Sequence, residues 1–382
     1  MVIKKHKCKG EILSPLHIGT GKEITPLDYF IKDNRLIVYN FQKLLRENTD
    51  FAENFLDRAE KQNPRLLFLN KDILSGEQKN DKSYYLYTEE IPKYLKGNLE
   101  TEMNKGNKAN IWEFIKDSKY KSYIPGSSIK GAIRTAIAYY IFKNDEDLKT
   151  KLTKRLWNEP TNIINALIFQ PKNLDAKEDI LRVLSVSDAN MNEDNVLSIE
   201  CAKRLSSKRI LGFPNYYECV KPRSIFSFSL SFFYELIKTK PEWQKILMKY
   251  KIDEQSIIKY CRKFSKDFID QEITYFERHI ERRFVPKVKT FYQNLKKEPL
   301  NADECLVRVG QGGGFYAKTL AMLLENTEEF RYREFIEKFG RKIRGKVTQG
   351  RELKKTSRTI LSSNWNYPVL GWVKIKVEES NG

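Results

Sequence analysis

One segment of the chain alternates strictly between apolar and polar residues. Between residues 224 and 233, three serines separate four large apolar residues, which are Phe226, Phe228, Leu230 and Phe232. Successive side chains of a β-strand point to opposite faces of the sheet, so this segment predicts a strand with one buried and one polar face. The fold must therefore contain a sheet that covers a core on one side.

A second pattern has the period of a helix. After Pro125 and Gly126, apolar residues recur at helical spacing as Ile129, Ile133, Ile137, Tyr140 and Ile141. They form one stripe, which predicts an amphipathic helix packed on a core.

The remaining elements predict an α+β fold. The predicted strands are residues 5–13, 181–187 and 371–377, and a hairpin has its arms at 28–31 and 36–39 with Asp33 and Asn34 in the turn. A Pro/Gly loop is predicted over 14–23, a helix from Phe41, surface loops around short apolar elements over 70–110 and a helical insertion over about 235–300. This order favours two modules with antiparallel sheets. We place the domains at residues 1–200 and 201–382.

The chain is strongly basic. Its 382 residues include 69 Lys and Arg against 50 Asp and Glu, which gives a net charge of +19. Residues 201–223 hold six basic residues and one acidic residue, and residues 331–358 hold eleven and three. A clustered excess of positive charge favours a polyanionic partner, and nucleic acid is the first candidate. A solvated lysine-rich surface is the alternative.

The sequence indicates neither a metal site nor a membrane span. The five cysteines have no spacing typical of a zinc site or a disulfide framework. No apolar run reaches the roughly 18 residues that a spanning helix needs. Asp28 and Asp188 belong to no recognisable carboxylate cluster, and no cofactor pattern is present. These features favour a soluble, cytoplasmic protein without metal or cofactor.

Three segments combine glycine with a cation: residues 17–22, 125–134 and 308–318. In the middle segment, Ser127 or Ser128 is placed to cap the helix, and the helix start attracts phosphate. Lys130 and Arg134 share one helical face, and Gly131 allows a sugar-phosphate backbone to approach closely. The segment therefore predicts a phosphodiester contact.

Other interpretations of these segments remain open. The middle segment is not a nucleotide-binding P-loop, because Ala132 stands where that motif requires Lys. It can also be an ordinary capped helix whose cations face solvent. Residues 310–314 contain four glycines, which favours close approach of backbone to a ligand, and a flexible hairpin is the alternative.

His17 lies in a Gly-rich loop close in sequence to Lys22. A histidine beside a lysine is the arrangement expected of a metal-independent ribonuclease. A hydrogen-bonding or stacking contact is the more frequent role of such a histidine.

The three segments together resemble the RAMP superfamily of CRISPR proteins. Residues 123–136, Tyr-Ile-Pro-Gly-Ser-Ser-Ile-Lys-Gly-Ala-Ile-Arg-Thr-Ala, resemble the signature of the fifth Csm-type subunit of type III-A complexes. Residues 15–21, residues 310–314 followed by Lys318, and residues 370–375 are similar to the same family in order and spacing. The resemblance spans residues 5–377.

This resemblance implies two ferredoxin-like (RRM-type) modules and a non-catalytic subunit that caps the 3′ end of the crRNA. It also implies docking on the repeated backbone subunit and a need for the protein in maturation of crRNA intermediates, which a separate host nuclease would trim. The RNA contacts carried over are Gly126, Ser127, Ser128, Lys130, Gly131, Arg134, Gln311, Gly312, Gly313, Lys318 and, less directly, His17 and Lys22.

Two alternative functions remain. One is a metal-independent crRNA-processing endoribonuclease of the same superfamily that uses His17 as acid or base. The other is a basic scaffold that contacts only proteins, which would leave the glycine and cation segments unexplained.

Overall fold

A computed structural model describes residues 3–61, 74–104, 109–157, 163–170, 175–205, 210–238, 240–280, 284–325, 327, 334, 358–361, 363–364 and 366–378. The basic stretch predicted at 331–358 lies outside the described residues except for Glu334 and Arg358. Within 201–223, residues 206–209 also lie outside them. The fold mixes α-helices with two β-sheets.

The first sheet has seven strands and is antiparallel throughout. Its strands are β1 (Ile3–Ile12), β7 (Tyr123–Ile124), β8 (Leu184–Val186), β9 (Ala189–Met191), β12 (Ile225–Phe233), β13 (Glu304–Arg308) and β15 (Trp372–Val377). Their order is β13-β15-β1-β12-β9-β7, and β8 also pairs with β12.

The second sheet has eight strands and is mixed. Its strands are β2 (Gly19–Ile24), β3 (Tyr29–Lys32), β4 (Arg35–Tyr39), β5 (Tyr85–Glu90), β6 (Ile111–Phe114), β10 (Leu197–Leu205), β11 (Ile210–Val220) and β14 (Arg358–Leu361). Their order is β2-β6-β11-β10-β5-β4-β3, and β14 pairs with β10. The prediction of purely antiparallel sheets is wrong here, because β5 with β10 and β6 with β11 are parallel pairs. Parallel pairs need long crossover connections, and helices lie in both of these connections.

Eleven α-helices are formed by the described residues. They are α1 (Phe41–Glu47), α2 (Thr49–Lys61), α3 (Lys93–Asn104), α4 (Gly126–Asn144), α5 (Glu146–Leu156), α6 (Tyr234–Lys238), α7 (Pro241–Tyr250), α8 (Glu254–His279), α9 (Val285–Lys296), α10 (Gly314–Lys318) and α11 (Ala321–Glu325). Single-turn 3₁₀ segments occupy Lys82–Tyr84, Ala176–Glu178 and Ile180–Val183, and a π-turn occupies Asn165–Phe169.

The main core lies between the seven-stranded sheet and the helices α4 and α8. These helices pack on each other and on β13. The predicted stripe of α4 is confirmed, since its isoleucines are buried, and Tyr140 stacks on Tyr260 with a ring separation of 4.1 Å. The alternation of β12 is also confirmed, because its four large apolar residues are buried and its serines face outward.

Smaller cores lie on both sides of the eight-stranded sheet. On one side α3 buries Leu95 and Leu99 against β4 and β10, and on the other side α1 and α2 cover Phe30 and Tyr39. The predicted hairpin is present as β3 and β4, with Asp33 at φ 48° and Asn34 at φ 61° in its turn. Both angles suit a tight two-residue hairpin turn.

Three local predictions differ from the structure. The loop predicted over 14–23 contains most of β2, and the loops predicted over 70–110 contain β5 and α3. The strand predicted over 181–187 begins as a 3₁₀ turn and becomes β8 only at Leu184. β2 has only one buried residue, Ile24, so no apolar alternation marks it in the sequence.

The boundary near residue 200 stays a prediction. It falls within β10, and both sheets take strands from either side of it.

Candidate nucleic-acid interface

The first and third glycine-bearing segments meet through their backbones. The Gln311 N–H donates to the His17 carbonyl over 2.8 Å. Gly310 has φ 73°, and a Cβ at this position would lie 2.3 Å from the same carbonyl oxygen. Only glycine fits here, so this glycine fixes one loop against the other.

The third segment also packs beside the middle one. Its helix α10 contacts α4, and Ala317 lines one small cavity together with Ala132 and Ala136. The structure therefore gathers the three segments that the sequence singled out.

The start of α4 is built differently from the prediction. Neither Ser127 nor Ser128 caps the helix; its N-cap residue is Pro125, with no side-chain hydrogen bond. The Gly126 N–H instead donates to the Asp188 carboxylate over 2.8 Å. A Cβ at Gly126 would lie 2.2 Å from the Val186 carbonyl oxygen, which explains the glycine by packing. A protein carboxylate thus already occupies the positive end of the helix.

Lys130 and Arg134 have partners within the protein. The Lys130 ammonium donates to the Leu184 carbonyl over 2.7 Å, and its burial lowers its pKa. Arg134 pairs with Asp179 over 2.8 Å and lies 3.7 Å from the centroid of the Phe169 ring. Arg134 thus holds the segment that leads into β8, and Lys130 holds the first residue of that strand. Gly131 beside them is exposed.

The loop at 310–314 is held by Arg308. Its guanidinium donates to the carbonyls of Gly312 and Leu370 over 3.0 and 3.1 Å. Gly313 is buried, whereas Gln311 and Lys318 are exposed. These two side chains are the parts of the third segment that a ligand can reach.

His17 is buried and Lys22 is exposed. Only 3% of His17 is accessible, and its Nδ1 lies 2.7 Å from the Glu218 carbonyl oxygen. The ring packs edge-on against Phe114 and Tyr217. Burial lowers the pKa of His17 to about 4, so the imidazole is neutral near pH 7. Its Nδ1 therefore carries the proton donated to the carbonyl, which makes His17 a packing and hydrogen-bonding residue.

The outer face of the seven-stranded sheet is basic, although none of the predicted sites includes it. Lys5, Lys7 and Lys9 alternate along β1 with exposed side chains. On the neighbouring strand β12 they face Ser231, Ser229 and Ser227, respectively. We call these six residues the lysine–serine face. Lysine at every second position of the first strand, combined with serine at every second position of β12, is the sequence signal that could have revealed it.

This face has free positive charge and leads to the glycine loops. Lys9 pairs with Glu378 over 3.1 Å, but neither Lys5 nor Lys7 forms an ion pair with a residue that the structure describes. β1 and β13 both pair antiparallel with β15, so they run in the same direction. The loops that follow β1 and β13 therefore leave the sheet at the same end of these strands. These loops contain the first and third glycine-bearing segments.

Three possibilities find no support in the described part of the chain: a metal site, a disulfide and a membrane-spanning helix. It contains no group of three His, Cys, Asp or Glu side chains arranged to hold a metal ion. All five cysteines are buried thiols outside any disulfide. None of the described helices combines the length and apolar character needed to cross a bilayer.

Comparison with known proteins agrees with the resemblance found in the sequence. The chain is 26% identical to the CRISPR system Cms protein Csm5 of Methanocaldococcus jannaschii, over 97% of this chain and 88% of that protein. A chain in a cryo-EM structure of a type III-A Csm–crRNA–target RNA ternary complex superposes with a TM-score of 0.74 at 19% identity, covering 98% of this chain and 100% of that one. The crystal structure of T. onnurineus Csm5 superposes with a TM-score of 0.65 at 18% identity, covering 96% and 99%. A family model of the RAMP superfamily matches residues 9–317, and the chain therefore belongs to the RAMP superfamily.

Proposed function

We propose that this chain is a non-catalytic, RNA-binding subunit of a type III-A CRISPR effector complex that holds the 3′ region of the crRNA. The observation that supports RNA binding is the lysine–serine face, which extends toward the strand ends where two glycine loops leave the sheet. The net charge of +19 and the relatives named Csm5 support the same assignment. Contact with the repeated backbone subunit, a role in maturation of crRNA intermediates and a cytoplasmic location belong to this proposal.

The RNA is held mainly through its phosphates. Lysines on an open sheet face act as point charges for a sugar-phosphate backbone, and serine hydroxyls add hydrogen bonds without reading bases. Where the glycine loops leave the sheet, exposed Lys318 and Lys22 add positive charge, and exposed Gln311 adds an amide that can form hydrogen bonds. This arrangement favours binding that depends on salt and has little sequence preference.

Binding is favoured over RNA cleavage because of the environment of His17. A general acid or base works best with a pKa near the operating pH and within hydrogen-bonding distance of its substrate. The pKa of His17 is lowered to about 4, and its ring lies in the core with only 3% exposed. We therefore assign trimming of crRNA intermediates to a separate nuclease that this subunit assists.

The finer architecture is part of the proposal. We infer two ferredoxin-like modules, residues 1–200 and residues 201–382, with about 235–300 as a helical insertion in the second. Separate expression of residues 1–200 and 201–382 would test the predicted boundary. Failure of both fragments to fold would contradict it.

The test is incubation of the full-length chain with labelled single-stranded RNA derived from a CRISPR repeat, with and without Mg²⁺ or Mn²⁺. We expect a gel shift with intact RNA, weakened in the double variant Lys5→Ala, Lys7→Ala. The matched control is Lys245→Ala, Lys266→Ala, which removes two exposed lysines from α7 and α8. Equal binding by both double variants would contradict the assignment of the face, and shortened products that vanish with His17→Ala would establish the ribonuclease instead.

The predicted contacts at Lys130 and Arg134 need a stricter test. The double variant Lys130→Ala, Arg134→Ala is expected to weaken RNA binding, but it also removes contacts to Leu184 and Asp179. Its result therefore counts for RNA contact only if the urea midpoint of unfolding stays unchanged.

A further inference from the structure

A cleft of about 940 Å³ opens between the two sheets. Its walls come from β5, from residues 116–123, which lead from β6 into β7, and from residues 188–197, which include β9 and the start of β10. Its charged side chains are five acids, Glu89, Asp117, Asp188, Glu193 and Asp194, and two bases, Lys116 and Lys121. A chain with a net charge of +19 thus has one strongly acidic concave surface.

The floor of the cleft contains a buried ion cluster. The Lys116 ammonium contacts the Glu218 carboxylate directly. Glu218 also accepts the Phe114 N–H over 2.7 Å and the Tyr87 hydroxyl over 2.9 Å. These three donors satisfy the hydrogen-bonding needs of the Glu218 carboxylate.

Glu89, in contrast, has an incomplete set of partners. It is 5% exposed and lies in the floor of the cleft with both carboxylate oxygens buried. Neither oxygen accepts a hydrogen bond from any residue that the structure describes. The Lys116 Nζ lies 3.6 Å from one of these oxygens. One ammonium thus faces two carboxylates, and burial together with the Glu218 charge raises the pKa of Glu89. A buried carboxylate without donors is costly, so an external cation would stabilise it.

Two tyrosines form an aromatic wall beside Glu89. The rings of Tyr87 and Tyr120 lie 5.5 Å apart at an angle of 34°. Tyr120 has φ 60°, which is strained for a non-glycine residue. The Asp117 side chain holds this turn by accepting the N–H groups of Lys119 and Lys121 over 2.8 and 2.9 Å. The strained turn keeps the Tyr120 ring, which is 41% exposed, at the cleft.

We propose that this cleft receives an arginine side chain of a protein partner. A guanidinium group offers paired donors for the exposed carboxylates of Glu193 and Asp194, and its flat face stacks on tyrosine. Its positive charge would also stabilise the ionised form of Glu89 beneath. The Lys116 ammonium already lies 4.1 Å from the centroid of the Tyr87 ring, so the wall accepts cations. The surplus of carboxylates disfavours RNA phosphates here, which separates this site from the lysine–serine face.

The test uses the full-length chain and a capped Gly-Arg-Gly tripeptide in isothermal titration calorimetry. The same peptide with citrulline in place of arginine keeps the shape and removes the charge. We expect saturable binding of the arginine peptide, weakened roughly tenfold by Glu89→Gln and also weakened by Glu193→Gln combined with Asp194→Asn. Glutamine matches the neutral form of Glu89, and the other two acids are exposed, so the fold is retained in both variants. The control Glu53→Gln removes an exposed acid of α2 and should leave binding unchanged.

Three results would overturn the inference: equal affinity for the citrulline peptide, no binding of the arginine peptide at millimolar concentration, or equal binding by wild type and Glu89→Gln. Weaker RNA binding by Glu89→Gln than by wild type would assign the cleft to RNA and would also overturn it. The inference is independent of the proposed function. Peptide binding without RNA binding would refute only the proposed RNA role.

Discussion

At the scale of single residues, burial decides which of the chemically active side chains can meet a ligand. His17 lies between Phe114 and Tyr217, and its ring is used to hold the Glu218 carbonyl. Charging the imidazole in this environment would cost solvation energy that the protein does not replace. The residue that the sequence offered as a catalyst is therefore part of the core.

The lowered pKa of His17 predicts a dependence of stability on pH. The unfolded chain binds a proton at His17 below its ordinary pKa of 6.5, whereas the folded chain does so only near about 4. The stability that neutral His17 contributes is therefore fully present above pH 6.5 and is lost as the pH falls toward about 4. We expect the loss to reach about 2 kcal/mol by about pH 5.

The measurement is the free energy of unfolding in urea between about pH 7 and pH 5, for wild type and for His17→Asn. Asparagine does not titrate, so the variant should be less stable than wild type at neutral pH and should lose less stability on acidification. Parallel pH profiles of the two proteins would contradict the buried, neutral state of His17.

Residue types and spacing revealed the candidate cations, but not what surrounds them. The spacing of Lys130 and Arg134 correctly puts both on one side of α4. Their partners Leu184 and Asp179 are contributed by a distant segment further along the chain. Such tertiary contacts leave no local pattern, so the sequence could not distinguish an RNA contact from a structural one.

At the scale of elements, two glycines of α4 have opposite roles. Gly126 is the first residue of the helix, and a Cβ at this position would collide with the backbone of residues 186–187. Gly131 lies further along the helix and is exposed. Apart from its own helix backbone, no described atom lies within 4 Å of the point that an alanine Cβ would occupy. The same substitution should therefore change stability in opposite directions at the two sites.

Gly126→Ala is expected to destabilise the protein by about 1–3 kcal/mol, because its Cβ would collide with the Val186 carbonyl. Gly131→Ala is expected to stabilise it by about 0.5–1 kcal/mol, because alanine restricts the unfolded chain and favours the helix. Urea denaturation of both variants measures the difference. A destabilised Gly131→Ala variant would show that unseen packing occupies the space beside it.

Gly131 also allows a direct test of close approach by RNA. If a sugar-phosphate backbone lies against this glycine, Gly131→Ala should weaken RNA binding although the protein becomes more stable. Unchanged RNA binding in a stabilised variant would remove Gly131 from the predicted contacts.

Elements with strong local patterns were predictable, and elements without them were not. The alternation of β12, the stripe of α4 and the β3–β4 hairpin each have a clear periodicity or turn sequence. β2 is almost entirely exposed, and β5 has one buried residue among six, so neither shows the alternation of a half-buried strand. Pairing with distant strands, rather than local sequence, stabilises these two elements.

At the scale of the whole molecule, positive charge and negative charge are concentrated on different surfaces. The lysine–serine face is formed by β1 and β12 in the middle of the seven-stranded sheet. The acidic cleft is lined by residues of β7 and β9, at one side of that sheet, and by residues of β5 in the other sheet. Opposite charges on separate surfaces allow one molecule to hold a polyanion and a basic protein at the same time. The separation also makes the two roles independently testable.

The phosphate contacts proposed for the lysine–serine face predict how RNA binding depends on salt. Each phosphate that the protein neutralises on single-stranded RNA contributes roughly −0.7 to the slope of log K against log salt concentration. Lys5 and Lys7 are exposed and form no ion pair among the described residues. The variant Lys5→Ala, Lys7→Ala should therefore lower the magnitude of this slope by roughly 1.4, in addition to weakening binding. Fluorescence anisotropy over a series of KCl concentrations measures it, with Lys245→Ala, Lys266→Ala as the charge-matched control. An equal decrease in both double variants would mean that net charge alone attracts the RNA and that the sheet face has no particular part in holding it.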